Sequence, residues 1–276
     1  MKNIASTINR NPYLLLVSLA FTFFLFSWFI VQYLHSDYLL ELYADTYGMV
    51  TVLAGAYGLY MSKKWGYFKS VFGKAIIFLS FGLLAQGFGQ AVYSIYFLVF
   101  GISAPYPSIG DLGFFGSIPL YVLGVWYLAV ASGIKYVLRS KFYVLVSLAI
   151  VTILLFASYR FFLTGYDFLD VPPLVVFLDF GYPLGQAVYV SMALVVALLS
   201  RKMLGGLMKK RVWLLLAALF FQYISDFTFL YQYNRDTWTA GGINDFMYLI
   251  SYFMLFIAMI DIETAFLSLT ESSDTK

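Results

Sequence analysis

The sequence predicts an all-α membrane protein with eight transmembrane helices, arranged as four parallel in-out-in helical hairpins of about 67 residues each. Composition, the lengths of the apolar runs and the distribution of basic residues lead to this fold class. Hydrophobic residues make up 62% of the 276 residues and charged residues 11%, against about 45–50% and about 25% in a soluble domain. So few charges cannot cover a water-exposed surface. We therefore predict one polytopic domain over residues 1–276 and no soluble domain.

Eight apolar runs are the candidate spans, since a spanning helix needs about 20 mostly apolar residues. They cover 12–34, 46–62, 75–100, 113–134, 142–164, 174–199, 212–233 and 246–267. The run 46–62 is the shortest and decides between seven and eight helices. The first run has no clear small-residue cleavage site, so we expect a retained helix and not a cleaved signal peptide.

The basic residues decide the topology, because Lys and Arg are concentrated in cytoplasmic loops. With eight helices, 15 of the 17 basic residues lie on one side, and only Arg160 and Arg235 lie on the other. The 15 are Lys2, Arg10, Lys63, Lys64, Lys69, Lys74, Lys135, Arg139, Lys141, Arg201, Lys202, Lys209, Lys210, Arg211 and Lys276. Removing the run 46–62 would place four lysines outside. We therefore predict a multi-pass protein of the cell membrane with both termini in the cytoplasm.

The residue inventory excludes several chemistries. There is no cysteine and His35 is the only histidine, so thiolate chemistry and poly-His metal or haem sites are not expected. No lysine lies within a span, which excludes a retinal protein. The segment 108–111 (Ser-Ile-Gly-Asp) only partly matches an intramembrane aspartyl protease motif, and no Pro-Ala-Leu exists. We expect no catalytic residue, cofactor, bound metal or nucleic-acid partner.

An internal repeat is suggested by four aspartates. Asp45, Asp111, Asp179 and Asp245 are 66, 68 and 66 residues apart, and each is followed within three positions by an aromatic residue. This period predicts parallel hairpins of about 12–62, 75–134, 142–199 and 212–267. The alternative is that Asp45, Asp111 and Asp245 only cap helix N-termini.

Polar residues inside the apolar runs are the candidate ligand-binding residues, because a charge at mid-bilayer costs about 2.5–3.5 kcal/mol. They lie at mid-membrane or in the outer half of the predicted bundle, whereas the inner half is apolar. This asymmetry predicts an outward-facing polar and aromatic pocket that is closed below. The candidates are Asp226, Asp179, Arg160, Gln222, Gln90, Gln86, Gln186 and Tyr93. The alternative is that the Gln and Asp side chains only hold helices together and that Arg160 reaches the headgroups.

A specific pair is also predicted. Arg160 and Asp226 each stand 19 residues before a repeat aspartate, Asp179 and Asp245 respectively. The two should therefore lie at similar depth in neighbouring repeats. A buried charge needs an opposite charge nearby, so we expect Asp226 to pair with Arg160.

Four short motifs resemble a known family of membrane domains. Residues 107–111 read Pro-Ser-Ile-Gly-Asp, with Phe114 and then Pro-Leu at 119–120. Residues 182–184 read Tyr-Pro-Leu, residues 225–229 read Ser-Asp-Phe-Thr-Phe, and residues 244–252 contain Asn-Asp-Phe-Met-Tyr and Ser-Tyr. Over about 75–260 the chain thus resembles the multipass membrane domains found upstream of bacterial diguanylate cyclases (GGDEF proteins) and histidine kinases. Departures are Gly110 for Ala, Phe114 and Ile118 for Tyr, Gln186 for Asp, and Tyr248 for a more usual Trp.

The resemblance implies a sensory module in the lipid bilayer that recognises a small ligand and signals to an output domain. No output domain follows the last apolar run, so we expect a separate kinase or cyclase partner. The main alternative from the residues is a small-solute or ion-coupled carrier that uses intramembrane carboxylates. A membrane enzyme and a structural or assembly subunit are further alternatives.

Overall fold

The computed structural model describes residues 12–200 and 206–274 and is helical throughout most of that range. The α-helices are α1 (Pro12–Leu34), α2 (Asp37–Thr46), α3 (Val50–Ser62), α4 (Val71–Leu98), α5 (Gly110–Ala131), α6 (Ile134–Val137), α7 (Lys141–Ser158), α8 (Pro173–Ser200), α9 (Gly206–Tyr233) and α10 (Ile243–Asp274). Short 3-10 turns cover Tyr47–Met49 and Tyr67–Lys69, and α7 continues as a π-helical turn over Tyr159–Leu163. Within the described residues there is no strand.

Seven helical segments are long and apolar enough to cross a membrane: Tyr13–Leu34, Val71–Leu98, Gly110–Ala131, Lys141–Leu163, Pro173–Ser200, Met208–Tyr233 and Ile243–Thr264. They correspond to seven of the eight predicted runs. The protein is therefore an all-α, multi-pass membrane protein with a lipid bilayer as its environment.

The predicted second run, 46–62, consists of the last residue of α2, the 3-10 turn Tyr47–Met49 and α3. The 13 residues of α3 extend about 20 Å at 1.5 Å per residue, which is less than the hydrocarbon thickness of about 30 Å. By length α3 is not among the candidate spans, so seven of the eight predicted helices are confirmed and the second stays a prediction.

Six helices form a closed ring, in the order α3, α4, α5, α8, α9, α10 and back to α3. The largest helix–helix contact is between α4 and α5. Glycines permit it, because a Cβ on Gly113 would lie 2.4 Å from the Ala85 carbonyl oxygen. The core of the ring is formed by buried aliphatic and aromatic side chains of all six helices.

The helices α1 and α7 lie outside the ring, where α1 packs on α10 and α7 packs on α8. Only 11% of the α1 span and 6% of the α7 span are buried, against 33–61% in the other five spans. Exposed Leu and Phe side chains cover both helices, which is the surface expected against lipid.

The two ends of the bundle differ in charge. The acidic end contains Asp45, Asp111, Asp179 and Asp245. The basic end contains the loops and helix starts with Lys63, Lys64, Lys69, Lys74, Arg139, Lys141, Lys209, Lys210 and Arg211. The predicted cytoplasmic residues Lys2, Arg10, Arg201, Lys202 and Lys276 lie outside the described part of the chain.

Candidate functional site

A layer of hydrogen-bonded polar side chains crosses the interior of the ring, about one helical turn inside the acidic end. We call it the polar layer. Its members are Gln86, Ser117, Tyr189, Gln222, Asp226, Tyr248, Ser251 and Tyr252. They come from α4, α5, α8, α9 and α10, so the layer connects five of the six ring helices.

Asp226 is the most highly connected member. It is 5% exposed and accepts hydrogen bonds from the Tyr248 hydroxyl at 2.8 Å, the Tyr189 hydroxyl at 3.0 Å and the Gln222 amide at 3.2 Å. One turn of α9 separates Gln222 from Asp226, which places both side chains on the same helix face. Three donors from three helices satisfy this carboxylate, as a buried polar group requires.

The predicted pair between Asp226 and Arg160 is wrong. Arg160 is exposed and lies in the π-helical turn outside the ring. Among the described residues Asp226 has no basic partner. The 19-residue spacing misled the prediction because the π turn and the peripheral position of α7 direct Arg160 away from the ring. Tyrosine hydroxyls take the place of the guanidinium.

Two Gln–Ser pairs continue the layer on opposite sides of the ring. The Gln86 amide donates to the Ser117 hydroxyl at 2.9 Å, and the Ser251 hydroxyl donates to the Gln222 carbonyl at 2.5 Å. The Tyr252 hydroxyl connects the two halves through a long bond of 3.5 Å to Gln86 Oε1.

Three of the four repeat aspartates also accept tyrosine hydroxyls, whereas Asp45 does not. Asp111 binds Tyr182 at 2.7 Å, and Asp245 binds Tyr47 at 2.9 Å. Asp179 accepts from both Tyr106 and Tyr166 at 2.6 Å. Each tyrosine lies on a different element from its aspartate, and Tyr166 lies in the loop that precedes α8. These bonds tie the helix ends and loops of the acidic end together.

The aspartates that were predicted to cap helix N-termini differ in their position on the helix and in the N–H groups that they accept. Asp111 and Asp245 lie in the first turns of α5 and α10 and accept the backbone N–H of Ser108 and Gly241, respectively. They therefore bind N–H groups that precede the helix, and also a tyrosine. Asp45 lies near the C-terminal end of α2, so its prediction as an N-terminal cap is wrong.

The remaining sequence candidates are scattered. Gln90 is half-buried and donates to the Ala44 carbonyl at 2.8 Å, which fastens α4 to the end of α2. Gln186 is 7% exposed but has no hydrogen bond to any described residue. Tyr93 packs edge-to-face on Phe114, with ring centroids 5.2 Å apart. These three do not join the polar layer.

Sequence reasoning missed Tyr248, Ser251, Tyr252, Ser117 and Tyr47 as site residues. The first three lie on one face of α10, because their spacings of three and four residues match the helical period. The helical spacing of these three residues could have predicted this polar face from the sequence. Its partner Gln222–Asp226 face was already identified, but only the packing of α9 against α10 shows that the two faces meet.

The side of the ring below the polar layer is apolar. Buried Thr51, Ser62, Ser80, Ser191 and Ser200 are present, but each donates to a backbone carbonyl three or four residues earlier in its own chain segment. These five hydroxyls therefore do not extend the layer, but the buried Tyr121 hydroxyl on α5, one turn from Ser117, has no described hydrogen-bond partner. The next buried acidic group is Glu263 at the basic end, which binds the Lys64 ammonium and the Tyr57 hydroxyl.

A shallow depression of about 340 Å³ lies at the basic end, lined by Leu138, Arg139, Lys141, Val144, Leu145 and Leu148. None of the predicted ligand-binding residues lines it. No group of three or more His, Asp or Glu side chains in the described residues is placed to hold a metal ion. The eight members of the polar layer are hydrogen-bonded to one another.

Comparisons with known proteins add no relative, because no protein-family model, no curated protein and no solved structure matches this chain.

Proposed function

We propose that the protein is a receptor-like sensory module, in which a small ligand or ion acting at the acidic end rearranges the polar layer and α10 transmits the change to the basic end. The observation that carries this proposal is the asymmetry of the ring. Below the polar layer the described interior is mainly apolar, and no hydrogen-bonded path leads from the layer to the basic end. The single helix α10 connects the acidic end with the basic end.

The helix α10 is suited to transmission because it takes part in both ends. Asp245 lies in its first turn, Tyr248, Ser251 and Tyr252 lie in the polar layer, and Glu263 lies at the basic end. From Asp245 to Glu263 the helix rises about 27 Å at 1.5 Å per residue. Loss or gain of a hydrogen bond in the polar layer would therefore shift or rotate α10, and this movement would reach the basic end.

The resemblance to the membrane domains of diguanylate cyclases and histidine kinases supports the same function. The matching motifs 225–229 and 244–252 contain Asp226, Tyr248, Ser251 and Tyr252, which meet in the polar layer. A kinase or cyclase at the basic end is the partner that this resemblance implies.

The eight-helix topology belongs to this proposal. The segment from Tyr47 to Lys64 runs beside α10, since Tyr47 binds Asp245 and Lys64 binds Glu263. It therefore extends along nearly the whole α10 span, as the 3-10 turn Tyr47–Met49 followed by α3. We propose that it crosses the membrane as the eighth element, which places both termini on the basic, cytoplasmic side.

The internal repeat is proposed on matching contacts. The pair Gln86–Ser117 between α4 and α5 joins the same residue types as the pair Gln222–Ser251 between α9 and α10, with Gln86 as donor in the first and Ser251 as donor in the second. The bonds Tyr182–Asp111 and Tyr47–Asp245 correspond in the same way. The ring order α3, α4, α5 is then repeated as α8, α9, α10, which relates the first two hairpins to the last two by a rotation about the membrane normal.

The test is a chimera that adds a diguanylate cyclase catalytic domain after α10 and reads cyclic dinucleotide production in cells. Asp226→Asn and Tyr248→Phe should shift the output, because they alter the layer that biases α10. Leu148→Ala, at a 58% exposed position on α7, is the matched control and should leave output unchanged. Inserting one to four residues at the junction should make output vary with the helical period of 3.6 residues. Output that none of these variants changes would reject the sensory function.

A cation-coupled carrier is the second candidate, favoured by one observation. Asp226 is a buried carboxylate with no basic partner among the described residues. Purified protein in liposomes with a pH-sensitive dye separates the two functions. A proton flux, or a sodium-driven proton flux, that exceeds the flux of empty liposomes and is abolished by Asp226→Asn would establish the carrier. A flux equal to that of empty liposomes would support the receptor.

A further inference from the structure

We propose that the depression at the basic end of α7 binds an anionic phospholipid of the surrounding bilayer by its headgroup. The volume of about 340 Å³ lies within the range of about 300–1,000 Å³ that is usual for ligand sites. The depression is lined by two basic and four aliphatic side chains: Arg139, Lys141, Leu138, Val144, Leu145 and Leu148. Two cations beside an aliphatic wall match the two parts of such a lipid, its phosphate and its acyl chains.

The aliphatic wall continues from a cation along one face of α7. Lys141 lies in the first turn of α7, and Val144, Leu145 and Leu148 follow it by three, four and seven residues. These spacings place the four side chains on the same helix face. From Lys141 to Leu148 the helix rises about 10 Å at 1.5 Å per residue. An acyl chain whose phosphate lies at Lys141 would therefore run beside the two leucines.

The depression faces the lipid and not the interior of the bundle. The helix α7 packs on α8 outside the ring, and only 6% of its span is buried. Leu145 is 67% exposed and Leu148 is 58% exposed. An acyl chain of the bilayer contacts these side chains directly, whereas a water-soluble ligand would meet only the charged rim of the depression.

The two cations have no carboxylate that neutralises them. Neither Arg139 nor Lys141 forms an ion pair with a described residue, and the sequence contains no Asp or Glu from 112 to 166. Lys64 and Arg211 of the same end differ, because they pair with acidic residues of α10. The positive-inside rule explains why basic residues are concentrated at this end. It does not explain why two unpaired ones flank a depression that faces the lipid.

The two basic side chains are suited to a phosphate at the membrane surface. The guanidinium of Arg139 lies over the ring of Tyr136, with Cζ 5.5 Å from the ring centroid, and exposed tyrosines are typical of the headgroup level. A guanidinium can bind two phosphate oxygens at once, and the Lys141 ammonium adds a compact charge. This site does not depend on whether the protein signals or transports, because α7 contributes no residue to the polar layer.

The experiment measures the melting temperature of the purified, delipidated protein in detergent. Phosphatidylglycerol is the anionic lipid, and phosphatidylcholine with the same acyl chains is the zwitterionic comparison. A lipid that binds the folded state raises the melting temperature saturably. Phosphatidylglycerol should do so at concentrations at which phosphatidylcholine has no effect. Glycerol 3-phosphate, which carries a phosphate without acyl chains, should have no effect at the same concentrations.

Charge variants test the two cations. Arg139→Gln together with Lys141→Gln should raise the half-maximal phosphatidylglycerol concentration about 25-fold, which is about fivefold for each cation. The matched control is Lys209→Gln together with Lys210→Gln, which removes the same charge from the same end but outside the depression. It should keep the wild-type response. Equal responses to the two lipids, or an equal loss in both double variants, would overturn the site.

Shape variants keep both cations and also serve if the charge variants do not fold. Leu145→Trp should fill the depression and weaken the response to phosphatidylglycerol. Ile153→Trp, at a 64% exposed position about two turns further along α7, is the matched control and should keep the response. An unchanged response in Leu145→Trp would overturn the site. Stabilisation by glycerol 3-phosphate as strong as that by the lipid would also overturn it, because the ligand would then be a soluble anion.

Discussion

At the scale of single residues, tyrosine–carboxylate bonds hold the polar layer and the acidic end, whereas the described ion pairs, Lys64–Glu263 and Arg211–Asp261, lie at the basic end. Asp226 shows the principle, since two phenol hydroxyls and an amide replace the arginine that its depth in the bundle suggests. A neutral donor avoids burying a second charge, which is often as costly as the attraction it provides. The polar layer can therefore lose single bonds without leaving an unpaired cation in the membrane.

Removing one of these hydroxyls should have a measurable cost. Tyr248→Phe and Tyr189→Phe each take one donor from Asp226, and each should destabilise the protein by about 1–3 kcal/mol. Tyr33→Phe is the matched control, because Tyr33 is 84% exposed. Thermal unfolding in detergent provides the comparison. If all three variants unfolded at the same temperature, the hydroxyl bonds to Asp226 would not contribute to stability.

Arg160 and Asp226 should behave independently. Because the two side chains do not meet, the effects of Arg160→Gln and Asp226→Asn should add to within about 0.5 kcal/mol in the double variant. Arg160→Gln alone should change stability by no more than about 0.5 kcal/mol. A double-mutant cycle by thermal unfolding measures both quantities, and a double variant more stable than Asp226→Asn alone would show coupling.

The raised pKa of Asp45 predicts that the stability of the protein depends on pH. The folded state holds the Asp45 proton up to about pH 6, whereas the unfolded chain releases it near 3.9. The folded state then binds more protons between these values, so this group makes stability fall as pH rises from about 4 to 6. Melting curves of Asp45→Asn should lack that component, and those of Asp37→Asn should retain it. A wild-type slope identical to that of Asp45→Asn would contradict the raised pKa.

At the scale of the elements, close backbone approach decides where α4 and α5 cross. A Cβ at position 113 would lie 2.4 Å from the Ala85 carbonyl oxygen and 2.6 Å from the Gly89 amide nitrogen. Neither backbone atom can rotate away as a flexible side chain could. The contact between these two helices therefore depends on glycine.

Gly113→Ala should destabilise the protein by about 1–3 kcal/mol, the usual cost of overpacking. Gly116→Ala lies one turn later on the same helix, where nothing lies within 4 Å of an added Cβ. It should be neutral or slightly stabilising, because alanine favours the helix over glycine. Melting temperatures of the two variants should therefore differ in this order, and equal values would show that α5 can move away from α4.

At the scale of the whole molecule, the absence of cysteine allows single cysteines to report which side of the membrane a residue faces. Tyr38 and Gly101 lie towards the acidic end, and the 47% exposed Phe68 lies at the basic end. A membrane-impermeant maleimide added to intact cells should label Tyr38→Cys and Gly101→Cys. It should label Phe68→Cys only after the cells are opened.

This labelling tests the eighth crossing directly. If Tyr38→Cys and Phe68→Cys were labelled from the same side, the segment from α2 to α3 would not cross the membrane. Labelling of Phe68→Cys in intact cells together with Gly101→Cys would also reverse the orientation inferred from the basic residues.

The sequence by itself determined the membrane class, seven apolar helices and their approximate ends. These depend on composition and run length, which act locally, since each spanning helix satisfies its own backbone hydrogen bonds. It also identified Asp226, Gln222 and Gln86, because polar residues are conspicuous in apolar runs.

Only the tertiary structure decided which of these residues meet. The exposed position of Arg160 outside the ring and the meeting of Tyr189 and Tyr248 at Asp226 depend on how six helices pack around the ring. In a chain with 24 tyrosines, residue type does not distinguish a lipid-facing phenol from one that binds a carboxylate. That difference arises from helix rotation and neighbour order, which are properties of the packed bundle and not of any single helix.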